Sequence, residues 1–62
     1  MHRYEAVILD QQGEEFVRYF VHADTQAHAD EQARLAFRVL YRDKDLGAYK
    51  VQVTFSPMGS RH

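Results

Sequence analysis

Phe16, Arg18, Phe20 and His22 recur at every second position, a spacing that sets aromatic and basic side chains together on one face of an extended strand. Lys50, Gln52 and Thr54 repeat the interval later in the chain. Alternating rings and cations suit two kinds of contact: stacking on nucleobases with phosphate pairing, or anchoring in a protein interface. The ribonucleoprotein motifs of RNA-recognition sheets are absent, and 8 lysines and arginines face 9 aspartates and glutamates. Nucleic-acid binders draw much of their affinity from neutralised phosphates. The balance therefore favours a protein partner, with nucleic acid as the alternative.

Four further groups could carry chemistry. The near-repeat His22-Ala23-Asp24 and His28-Ala29-Asp30 offers imidazole and carboxylate, both zinc donors. Asp24 is better used as a helix N-cap and Asp30 as a partner of the helix dipole, so neither metal nor cofactor is expected. Leu35 and Val39, flanked by Arg34, Arg38 and Arg42, resemble a small interface with an apolar centre and a charged rim. Glu31 stands within ion-pair reach of Arg34. Asp10, Glu14, Glu15, Asp43 and Asp45 form an acidic set that could compete for a basic surface on a partner. No serine pairs with histidine in a known motif, and no glycine-rich phosphate loop exists. No catalytic residue is assigned, and the chain is expected not to be an enzyme.

The elements that must position these residues follow from periodicity. Tyr4 to Asp10 is an apolar strand whose two faces, Tyr4-Ala6-Ile8 and Val7-Leu9, are both apolar. Gly13 supplies the positive φ of a hairpin loop, so the strand Glu15 to Ala23 returns antiparallel. Val17, Tyr19, Val21 and Ala23 alternate there with Phe16, Arg18, Phe20 and His22. After Asp24-Thr25 the apolar positions Ala29, Ala33, Ala36, Phe37 and Leu40 define one helical stripe. Arg42 to Asp45 frays into a loop, and Gly47 reads as the helix stop. Tyr49, Val51, Val53 and Phe55 form the apolar face of a third strand, Ala48 to Phe55.

A right-handed crossover returns the third strand parallel to the second. The expected fold is α+β: a single ββαβ domain over 1–62, with a three-stranded antiparallel sheet (order 2-1-3), one helix on one face, and a loose tail at 57–62. The predicted core is Val17, Tyr19, Val21, Tyr49, Val51, Val53 and Phe55 against Ala29, Ala33, Phe37 and Leu40.

A chain of 62 residues buries only about 60% of the surface its unfolded form exposes, so pairing into a homodimer is expected to add burial. Zero cysteines fit a reducing, cytoplasmic setting. No run reaches the roughly 18 apolar residues of a membrane span, and Met1-His2-Arg3-Tyr4 leads into a strand rather than a signal peptide. A complete small gene product is expected. The expected function is a non-enzymatic interaction protein: a phage or mobile-element inhibitor that blocks a host defence or transcription complex. The alternative is a small RNA- or DNA-binding regulator using the open sheet face.

Overall fold

The hairpin forms because Asp10 organises its own turn. Its Oδ1 accepts from the backbone N–H groups of Gln12 and Glu14, each at 2.9 Å, while Gly13 takes φ 81°. The computed structural model, which describes residues 1–57, accordingly pairs β1 (His2–Leu9) antiparallel with β2 (Glu15–Ala23). A helix, α1 (Gln26–Leu40), follows, then a 3₁₀ turn (Leu46–Ala48) and β3 (Lys50–Phe55). The sheet order is β2-β1-β3, antiparallel at both junctions, with α1 on one face. The expected ββαβ architecture is present. Of the tail expected at 57–62, the part from Met58 onward lies outside the described residues.

Two features of the caps differ from expectation. Thr25, not Asp24, caps α1: its Oγ1 accepts from the His28 N–H at 3.1 Å. Asp24 is one residue too early to reach the free amides of the first turn. At the other end Tyr41 closes the helix, its N–H donating to the Phe37 carbonyl at 2.8 Å. Gly47 does not stop the helix. It sits inside the 3₁₀ turn, where its N–H donates to Asp45 Oδ1 at 3.0 Å. That turn also takes Ala48, with Tyr49 as its cap, so β3 starts at Lys50 rather than Ala48.

The helix covers the face of β1 that carries Tyr4, Ala6 and Ile8, all buried. Over one half of the sheet the contact is made by small residues: Ala6 and Ala23 below, Ala29 and Ala33 above, each with no exposed surface. Four side chains no larger than a methyl let the helix backbone come close enough for Tyr19 Oη to donate to the Ala33 carbonyl at 2.6 Å. Over the other half, Phe37 and Ile8 fill the space with Leu46, which the 3₁₀ turn folds inward. Two predicted core residues stand out. Leu40, the last helical residue, is 61% exposed, because the helix ends there. Phe55, at the end of an edge strand, is 49% exposed and packs edge-on against Tyr4 and His2 instead of under α1.

Candidate interaction surface

The face of the sheet away from α1 is uncovered. Central β1 contributes Arg3, Glu5, Val7 and Leu9 to it, opposite in alternation to the buried Tyr4, Ala6 and Ile8. Beside them stand Arg18, Phe20 and His22 of β2 and Lys50, Gln52 and Thr54 of β3, paired as Glu5↔Phe20, Val7↔Arg18 and Val7↔Gln52. Val7 and Leu9 remain half-buried in the middle of this face, and Phe20 is 51% exposed.

Phe16 does not belong to this face. The β1–β2 register steps from Ile8↔Val17 to Leu9↔Glu15, which leaves Phe16 as the extra residue of a β-bulge. The bulge breaks strict alternation and turns the ring to the helix side. There it lies 5.1 Å from Tyr41 and Tyr49 and 6.2 Å from Phe37, centroid to centroid, with Lys44 Nζ 5.8 Å away over its face. Only Phe20 remains of the pair of rings expected on the open face.

Arg18 is held rather than free. It donates at 2.6 Å to Glu5 across the sheet and at 2.6 Å to Glu15 on its own strand. The hydrogen bonds to Glu15 and then Glu5 raise the guanidinium still further above its ordinary range. The bond from Arg18 lowers Glu15. Arg3 instead lays its guanidinium over Phe20, 4.7 Å from the ring centroid. The open face therefore carries three cations, Arg3, Arg18 and Lys50, against two carboxylates, with the ion pairs gathered around an apolar middle.

A cleft of about 330 Å³ adjoins the hairpin end of this face. Leu9, Asp10 and Gly13 line one side, and Gly47, Tyr49, Lys50 and Gln52 the other. No family model, no curated protein and no solved structure matches the chain. The surface must be read from its own chemistry.

The remaining predicted groups are dispersed. Leu35 and Val39 are exposed on α1, 47% and 67%, on the opposite side of the molecule from the open face, and Arg38 is exposed beside them. Arg34 pairs with Asp30 at 2.8 Å rather than with Glu31, since i,i+4 spacing from the N-terminal carboxylate aligns better than i,i+3. Of the acidic set, Asp10, Glu15 and Asp45 are engaged in the hairpin turn, the Arg18 pair and the 3₁₀ cap. Glu14 and Asp43 are exposed. His28 bonds Gln32 at 3.1 Å, and among the described residues no three histidines, aspartates or glutamates gather as a metal site. No helix among them is long and apolar enough to cross a membrane.

Arg3, Glu5, Val7 and Leu9 were not expected at the site. Their signal was the double apolar alternation of β1, which reads equally well either way up. The choice is made by which face meets α1.

Proposed function

We propose that the chain is a non-enzymatic interaction protein that docks another protein on its open sheet face. The arrangement that carries this reading is the apolar middle of Val7, Leu9 and Phe20, beside which Arg18 is paired with Glu5 and Glu15 and Arg3 lies over the Phe20 ring. Protein interfaces have this anatomy, an apolar centre and a polar rim, with Arg and aromatic residues as anchors. A phosphate-tracking surface needs unpaired cations. Here Arg18, at the centre of the face, is neutralised by two carboxylates, which leaves only Arg3 and Lys50 at its ends, and a second stacking ring is lacking because Phe16 is turned to the helix side. The cleft beside Leu9 offers room for one partner side chain. Blocking a host complex, as a phage or mobile-element inhibitor does, is one way such a surface acts.

The test compares variants at the centre of the face with one on the helix. Phe20→Ser and Val7→Lys should each abolish capture of one and the same partner from the native host, whereas Leu35→Glu should retain it. All three should melt within a few degrees of the wild type, since none of these side chains lies in the core. Retained capture by Val7→Lys with loss by Leu35→Glu would move the site to α1. Micromolar binding of single-stranded RNA or DNA that persists at physiological salt would overturn the reading in favour of a nucleic-acid regulator.

A further inference from the structure

The two edges of the sheet are treated differently. On β3 the Gln26 side chain of α1 donates to the Val53 carbonyl at 2.9 Å, the strand is only six residues long, and Lys50 stands at its start. Side-chain capping, shortness and lysine are devices that keep an edge from pairing with another chain; a β-bulge is another, and the one at Phe16 confines any free edge of β2 to Val17 to Ala23. β2 has none of the first three. It runs nine residues without proline, glycine or lysine, and among the described residues no side chain hydrogen-bonds to its backbone. Its one arginine is already committed to Glu5 and Glu15.

We infer that β2 pairs antiparallel with β2 of a second copy, about a two-fold axis through Phe20. The bulge at Phe16 leaves Val17 to Ala23 as the regular stretch, and Phe20 is its midpoint. In that register Phe20 meets Phe20, an aromatic pair on the open face. Tyr19 meets Val21 and Val17 meets Ala23 on the helix side, joining apolar residues of which Val17 and Tyr19 are only half-buried in one chain. Arg18 meets His22, so the two arginines are kept apart. Centring on Arg18 would instead place the two guanidiniums opposite each other. A slip by one residue would put the two helices on opposite faces and set Phe20 against Val21. The product is a six-stranded sheet with both helices on one side and a doubled open face on the other. The pairing shares Phe20 with the docking reading but leaves Val7, Leu9 and Lys50 uncovered, so substitutions at Val7 distinguish the two.

The chain lacks cysteine, so single introduced thiols report the geometry without background. Phe20→Cys should form a symmetric interchain disulfide on mild oxidation, since opposed residues of paired strands bring Cβ atoms within bridging range. Arg18→Cys and His22→Cys should cross-link to each other when mixed, and each alone should do so poorly. Sedimentation equilibrium at micromolar concentration should give two chains for the wild type and one for Phe20→Glu. A wild type that stays at 7.3 kDa throughout overturns the pairing. So does a dimer that cross-links through Thr54→Cys but not through mixed Arg18→Cys and His22→Cys, because that pattern belongs to open faces stacked on each other. Val7→Lys separates the two proposals: it should lose the protein partner and keep the dimer.

Discussion

Phe16 shows how one residue's surroundings can invert its apparent role. By alternation it is an exposed ring neighbouring Arg18; in the bulge it becomes the fourth ring of a cluster with Phe37, Tyr41 and Tyr49. Phe16→Ser should therefore cost stability, about 2 kcal/mol, less than the 3–5 typical of a fully buried Phe because 38% of its surface is exposed. Urea denaturation checks it, and an unchanged midpoint would return Phe16 to the open face. Phe37 has no exposed surface, and Phe37→Ala should cost about 3–5 kcal/mol, close to the total stability of a domain this small. The same denaturation series should find little folded protein in water. The caps give a finer contrast. Thr25→Ala should lose about 1 kcal/mol, whereas Asp24→Ala should change stability by less than about 0.5, since only Thr25 satisfies an amide of the first turn.

Between elements, Tyr19 of β2, whose hydroxyl donates to the Ala33 carbonyl of α1, makes stability depend on alkaline pH through its burial. Burial, and then the nearby Tyr41, raise the Tyr19 phenol above its ordinary 10.0. A raised value means that the folded state holds the proton more tightly than the unfolded one. The stabilisation is full below pH 10 and fades as pH rises through the folded value. Melting temperature should thus fall above pH 10, and Tyr19→Phe should flatten that fall while lowering stability at neutral pH. Glu15 works in the opposite direction. Its carboxyl is lowered by Arg18, so its contribution is present above its ordinary 4.5 and is lost as pH drops through the lowered folded value. Melts of Glu15→Gln should show a shallower acid decline than the wild type.

At the scale of the whole molecule, one helix covers one face of three strands, and the rest of the sheet is exposed. Two small clusters joined under α1 must hold the fold, one built of alanines and the other of rings. A second copy added along β2 would then stabilise by mass action, so the melting temperature should rise with protein concentration. Phe20→Glu should abolish that rise without altering the melting temperature at the dilute limit. Calorimetry across a hundredfold range of concentration reads both.

The order of elements, the sheet topology and the helix stripe were legible in the sequence because they rest on local periodicity and on the handedness of a crossover. Ala29, Ala33 and Phe37 fall on the buried side for that reason, and Gly13 opens the hairpin because a turn of that shape needs a positive φ. What alternation could not supply was anything that depends on a count of residues across a pair of strands. Ile8 opposes Val17 but Leu9 opposes Glu15, and that single extra residue sends Phe16 to the other side of the sheet. The orientation of β1 was open for a related reason: both of its faces are apolar, and only packing against the alanines of α1 chooses between them. The pairing of Arg18 with Glu5, thirteen residues away, likewise exists only once the strands are in register.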